Sequence, residues 1–340
     1  MKKILLFFTV LVSFSGVSQT QIDSIAKDSI KPITTASFFT DKDLELIDSL
    51  VMETQYRSPL SDNINYVIKD LDLKETKSKI PTNILKERLK AIDDRTPFHL
   101  AYNPILENVI NSYLKYRKKY YPRLMAKAEY YFPMFEKHLD QYEIPLEMKY
   151  LAIVESALDP RAKSRVGARG LWQFMYLTGK QYKLKVSSYV DERQDPIKAT
   201  IAACKYLSNL YTIFGDWDLA LAAYNSGPGN VSKAIKRSGG YRNYWNIRPY
   251  LPTETAGYVP AFYATMYLFE YAKEHGLAPE TPPIFHFATD TIQIKRTISF
   301  DQITEVTGID TEMLQFLNPE YKIDIIPYLK NTNYAVRVPR

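Results

Sequence analysis

Hydrophobic positions recur at helical spacing through most of the chain. Leu85, Leu89 and Ile92 fall on one face of a helix, as do Ile105, Val109, Ile110 and Leu114. Residues 113–135 (YLKYRKKYYPRLMAKAEYYFPMF) read as an amphipathic helix with snorkelling Lys and Arg, broken at Pro122. Pro145 to Ser156 reads as a buried helix with proline at its first position and Leu146, Tyr150, Ile153 and Val154 turned inward. Residues 219–224 form a helix that Ser-Gly-Pro-Gly then breaks, and a last long helix starts near Glu254, behind Pro252-Thr253. After Pro282-Pro283 the period changes. Thr291 to Ile294 and Tyr334 to Val338 alternate like strands. Between them lie a helix from Phe300 that closes at Gly308 and a second one capped by Asp310. The expected fold class is therefore mainly α, with a βααβ unit of about 50 residues at the C-terminus.

The start of the chain follows another pattern. Lys2-Lys3, an apolar run from Ile4 to Val12 and small residues to Ser18 match a secretory signal peptide. The run falls short of the roughly 20 residues of a membrane span. Residues 1–18 are thus expected to be a signal, and no cysteine follows them to make a lipoprotein. The expected location is exported: periplasmic, in association with the cell wall or outer membrane, with no integral span. Residues 19–80 are polar and mixed, a spacer or N-terminal arm with one short helix over Asp41–Met52. Residues 81–280 form the helical domain, with its centre at 130–275, and residues 288–340 the C-terminal module.

Composition narrows the chemistry. A chain of 340 residues supports two or three domains with real cores. One cysteine, Cys204, excludes an internal disulfide or a cysteine-rich zinc site, and reads as a buried small hydrophobe. His99, His138, His275 and His286 lack ligand spacing, so no metal or cofactor is expected. The net charge of +6 becomes +4 without the signal, too mild to indicate nucleic-acid binding. Tyrosine is abundant, at 27 residues, and most are assigned to packing.

Four short stretches hold candidate chemistry. Glu155 ends the Pro145–Ser156 helix among apolar neighbours, near the negative end of the helix dipole, with no basic residue within five positions. All three features favour a carboxyl that stays protonated near neutral pH, as a general acid requires. The competing reading is a capping or salt-bridged glutamate. Lys163 to Met175 (KSRVGARGLWQFM) joins small turn-formers to Trp172-Gln173, a stacking face and an amide suited to a sugar ring; Trp172 fits a core position equally well. Leu219 to Val231 presents Tyr224 and Asn225 at a Gly-Pro-Gly turn that is not a phosphate loop. Glu254 to Val259 supplies a second carboxylate.

Glu155-Ser156, KSxxGAxGLWQFM, AAYNSGPG and ETAGYV together resemble the family 23 lytic transglycosylases, which have the soluble-lytic-transglycosylase-like fold of the lysozyme superfamily. The resemblance covers roughly residues 95–275. Leu-Asp-Pro after Ser156 and DERQDP (Asp191–Pro196) are most similar to the membrane-bound lytic murein transglycosylase D branch, where LysM modules follow the catalytic domain. Residues 290–339 resemble a degenerate LysM without its opening Gly-Asp-Thr. The resemblance implies a lysozyme-like helical catalytic domain acting on peptidoglycan glycan strands. The bond implied is the β-1,4 link from N-acetylmuramic acid to N-acetylglucosamine, cut with formation of a 1,6-anhydro end. Glu155 would be the single acid and base. Ser164 would polarise the acetamido or hydroxyl region. Gln173 and Met175 would line the cleft. Tyr224 would hydrogen-bond near the reacting centre and Asn225 would shape its loop. Glu254 would contact the sugar or fix Tyr224, while Tyr258 packs. The alternatives are a muramidase that uses water, sharing fold and acid, and a non-catalytic peptidoglycan-binding scaffold.

Overall fold

The computed structural model describes residues 80–282 and 284–340. The signal, the arm and the Asp41–Met52 helix lie outside the described residues.

The helical part is organised around one apolar helix. Apolar side chains surround α10 (Thr253–Glu270), and from Gly257 to Leu268 every residue is buried. A helix apolar on all sides needs neighbours on all sides. They are α2 (Pro104–Ser112), α4 (Leu151–Ser156) and α7 (Trp217–Ser226). α7 packs in turn on α6 (Pro196–Phe214) and α8 (Pro228–Arg237), and α6 on α3 (Tyr121–Gln141). α1 (Thr82–Asp93) adds Leu85, Leu89 and Ile92 to the same core. The short helices α5 (Tyr176–Gln181) and α9 (Tyr244–Ile247) complete this part.

Local sequence explains most helix starts. Asn103, Asp195 and Asp216 each accept hydrogen bonds from backbone N–H groups in the first turn of α2, α6 and α7. Pro122 differs from expectation. It stands in the first turn of α3, where a missing N–H costs nothing, so it opens that helix instead of breaking one. The interruption lies upstream, where Tyr113–Arg117 forms a π turn and Lys118–Tyr120 a 3-10 turn. Residues 146–150 are also 3-10, and Leu146 is largely exposed, contrary to the helix expected from Pro145.

In the C-terminal module β1 (Thr289–Gln293) pairs antiparallel with β4 (Ala335–Pro339), Thr291 opposite Arg337. Between them lie α11 (Phe300–Thr307), with a capping box of Ser299 and Gln302, and α12 (Thr311–Leu317), capped by Asp310. The expected strand–helix–helix–strand order holds. The structure adds a second small ladder, β2 (Ile298–Ser299) with β3 (Ile325–Ile326). Phe300, Ile303, Leu314, Tyr321, Ile326, Val336 and Val338 form the module's core, and Val190 of the helical part is buried among them.

The remaining singled-out residues have plain surroundings. His99 lies 3.6 Å from Asp216, His138 bonds Gln141, His275 meets Tyr267 and Arg88, and His286 packs on Tyr130. No described helix is long and apolar enough to cross a membrane. Cys204 is fully buried in α6, and burial pushes its thiol up to about 12. We expect Cys204 to resist an aromatic disulfide reagent in the native protein at pH 8 and to react fully in denaturant. Rapid native labelling would contradict its placement.

Candidate active site

Glu155 is the second-last residue of α4, and the turn after it is unusual. Ala157 and Leu158 both take left-handed backbone (φ 53° and 54°), a conformation that non-glycine residues seldom adopt. Two side chains hold this turn. The Ser156 hydroxyl lies 2.9 Å from the carbonyls of Ala152 and Leu171, tying the end of α4 to the loop before Trp172. Lys127 of α3 donates its Nζ proton to the Ala157 carbonyl at 3.3 Å. That cation satisfies the negative end of the helix from 30 residues upstream, which sequence proximity could not reveal.

The carboxyl of Glu155 sits deep although the residue keeps part of its surface open. Burial raises its pKa to about 8, and the charge of Glu254 adds in the same direction. One interaction opposes them. The Tyr258 hydroxyl of α10 donates to Glu155 Oε1, favouring the ionised form. Tyr258 was expected only to pack. It is buried, but its hydroxyl meets Glu155 from 103 residues away. Its place in ETAGYV, four residues and one helical turn after Glu254, sets the two on one face of α10, a signal that could have placed Tyr258 at the site.

The loop from Ala162 to Met175 forms a small cross-linked unit. Arg169 bridges both Lys163 and Phe174 in antiparallel fashion. The Ser164 hydroxyl accepts from the Ala168 N–H at 3.0 Å. Gln173, itself left-handed (φ 47°), donates its amide to the carbonyls of Gly170 and Ala162 at 2.9 and 3.2 Å. Met175 is exposed at the end of the loop. Ser164, Gln173 and Met175 thus share one loop, and among the described residues no hydrogen bond joins them directly to Glu155. The two readings of Trp172 resolve toward the core. Its ring is fully buried, edge-on to Phe135, with Nε1 donating to Thr200 at 2.9 Å.

The backbone carbonyl of Trp172 receives the Tyr224 hydroxyl at 2.9 Å. Tyr224 therefore spends its proton on the loop and turns oxygen lone pairs to its other surroundings. Burial holds its pKa well above the usual range, and the nearby Glu155 charge adds to that. Asn225 joins α7 to α10: its Oδ1 accepts from Thr255 at 2.8 Å, and its amide reaches Glu254 Oε1 at 3.4 Å. Glu254 is exposed and lies on Asn225, not on Tyr224. Four separate stretches thus converge: a deep carboxyl with its tyrosine donor, a cross-linked loop bearing polar groups, a second, half-buried tyrosine, and an exposed second acid.

Known proteins match this chain in two places. Residues 133–246 match the family model described as Transglycosylase SLT domain. Residues 288–340 match that of Lytic transglycosylase MltD, LysM-like domain. Membrane-bound lytic murein transglycosylase D of Escherichia coli (strain K12) is 32% identical over 235 residues, covering 68% of this chain and 51% of that protein. Soluble lytic murein transglycosylase of the same strain is 33% identical over 136 residues, or 38% of this chain and 21% of that protein. The crystal structure of the 70 kDa soluble lytic transglycosylase of Escherichia coli aligns over 71% of this chain and 45% of that one, at 19% identity and a TM-score of 0.37. The chain spans about half the length of the curated transglycosylase D relatives that it matches. On these matches, residues 133–246 are similar to transglycosylase SLT domains and residues 288–340 to the LysM-like domain of lytic transglycosylase MltD.

Proposed function

We propose that this protein is a peptidoglycan lytic transglycosylase. It cleaves the β-1,4 bond between N-acetylmuramic acid and N-acetylglucosamine and leaves a 1,6-anhydro-N-acetylmuramic acid end. The observation that carries this reading is the deep carboxyl of Glu155, bonded by the Tyr258 hydroxyl and shifted upward by burial, within residues that match the transglycosylase SLT domain model. The relatives' names, lytic murein transglycosylases, supply the substrate class.

Chemistry by one carboxyl balances without water. Protonated Glu155 gives its proton to the glycosidic oxygen as the bond to C1 breaks. The resulting carboxylate takes the proton of the muramic C6 hydroxyl while that oxygen bonds to C1. The enzyme returns to its starting state and the product loses no atom to solvent. Because the substrate's acetamido group can help stabilise the intermediate, a second carboxylate is not required. Tyr258 serves both halves: by donating to Oε1 it leaves the acidic proton on Oε2, and it steadies the carboxylate after transfer. Gln173 and Asn225 keep the loop and the turn in shape, while Ser164, Met175 and Glu254 offer polar and apolar surface to the sugars.

Tyr258→Phe gives a directional test. Without its donor the Glu155 carboxyl ionises less readily, so the alkaline limb of the pH–rate profile moves up by roughly one unit. Release of glycan fragments from purified sacculi between pH 5 and 10 measures it. A limb that stays in place, or moves down, would separate Tyr258 from the reacting acid. Clearing of the same sacculi by wild type tests the reading as a whole, and a scaffold that only binds would leave them intact.

A further inference from the structure

We propose that the C-terminal module is a fixed brace of the cleft loop. It acts through residues 185–195 to hold the loop that carries Ser164, Gln173 and Met175; this inference rests on the transglycosylase reading above.

The brace has two faces. On the loop side, Arg193 is fully buried and reaches the carbonyls of Gly167 and Phe174 at 3.1 and 3.4 Å. Asp191, also buried, fixes that guanidinium through Nε at 3.0 Å and Nη2 at 2.7 Å, and lies 3.6 Å from Arg169. Gly170 approaches the Arg193 carbonyl so closely that a Cβ would sit 1.9 Å from it. On the module side, the Asp191 N–H donates to the Glu320 carbonyl at 2.9 Å, and Val190 bridges Tyr321. Lys322 donates its backbone N–H to Tyr189 and its Nζ proton to Ser187. Arg337 of β4 lies between two buried carboxylates, Glu320 of its own module and Asp195, which caps α6. Arg161, just past the Glu155 turn, lies 3.7 Å from Asp324.

Two consequences follow from this arrangement. The module is joined to the helical part by backbone hydrogen bonds, by a side chain shared with its core and by ion pairs, so it is docked on that part and not loosely tethered to it. Residues 187–195 also link the two sides directly, because Asp191 uses its N–H on the module and its carboxylate beside Arg169 of the loop. Arg337 is thereby a positioning residue that acts on the cleft through Asp195 and Glu320.

The test uses the full chain with Arg337→Met and Arg337→Lys, and Glu320→Gln in case the Met variant does not fold. Hydrogen exchange is followed by mass spectrometry across residues 162–175, with α10 as an internal control. In parallel, fragment release per bound enzyme and retention on sacculi are measured. The brace predicts at least tenfold faster exchange in 162–175 and at least tenfold slower release for Arg337→Met. Retention stays within twofold, and Arg337→Lys falls between Met and wild type. Glu320→Gln moves exchange and release in the same direction as Met. Faster exchange confined to residues 300–340, or lost retention with unchanged release per bound enzyme, overturns it. If wild type releases nothing, the functional reading fails while the exchange result still decides the brace.

Discussion

Glu155→Gln should abolish fragment release from sacculi and, above pH 8, yield a protein more stable than wild type. On the proposed mechanism the first effect is the loss of general acid and base together, worth roughly a hundredfold to ten-thousandfold in rate. The second follows from the same burial. The Glu155 carboxyl has a pKa of about 8 in the fold against 4.5 in a free side chain. Between those values the folded protein holds a proton that the unfolded chain has released, so wild-type stability falls as pH rises through that window. Below pH 4.5 both states are protonated and the effect vanishes. Glutamine carries no such cost at any pH. The variant's advantage grows from nothing near pH 4 to about 2–4 kcal/mol at pH 9, after allowance for the partial exposure of the residue. Thermal melts at pH 5 and pH 9 read it directly. An inactive variant that is less stable at both would mean Glu155 serves structure more than chemistry.

Gly170→Ala should have the largest effect on stability of any single methyl added to the 162–175 loop. Its backbone is left-handed (φ 83°), and the added carbon would collide with the Arg193 carbonyl at 1.9 Å. Neither group can move away alone. The Gly170 N–H is bonded to Ala162, and the Arg193 side chain is anchored at Asp191, Gly167 and Phe174. The loop and the 191–195 segment must separate, at a cost on the order of 3–5 kcal/mol, which lowers the melting temperature by roughly 10 °C. Gly167→Ala is the matched control. Its φ is 86°, but nothing lies within 4 Å of a Cβ there, so only backbone strain of about 1 kcal/mol remains. Equal losses for the two variants would remove close packing as the cause.

These two sites differ in how far the sequence announced them. Glu155 could be singled out because its features are local: apolar neighbours, a helix end and no nearby cation are all written within a few residues. Tyr224 was legible for the same reason, at a helix end before Gly-Pro-Gly. Tyr258 was half legible, since its stretch was identified but its hydroxyl's partner lies 103 residues away across the core. Lys127 at the end of α4 gave no signal, because a helix terminus can be satisfied from any neighbouring element. The DERQDP stretch resembles a solvated charge run in composition. In the fold, residues 191–195 are buried, because Arg193 pairs within the run and Asp195 both caps α6 and faces Arg337. Alternation and capping located the strand–helix–helix–strand order of the C-terminal module, whereas its attachment depends on pairs such as Val190 with Tyr321 that no periodicity encodes.

On the proposed mechanism one carboxyl, with the substrate's own hydroxyl, does the work usually given to two acids and water. Mass spectrometry of the fragments released from purified sacculi by the wild-type protein distinguishes this mechanism from hydrolysis. Muramic ends lighter by one water than reducing ends, and absent from digests with Glu155→Gln, are the predicted result. Reducing ends from wild type, carrying one added water for each bond cut, would contradict it and make the protein a muramidase.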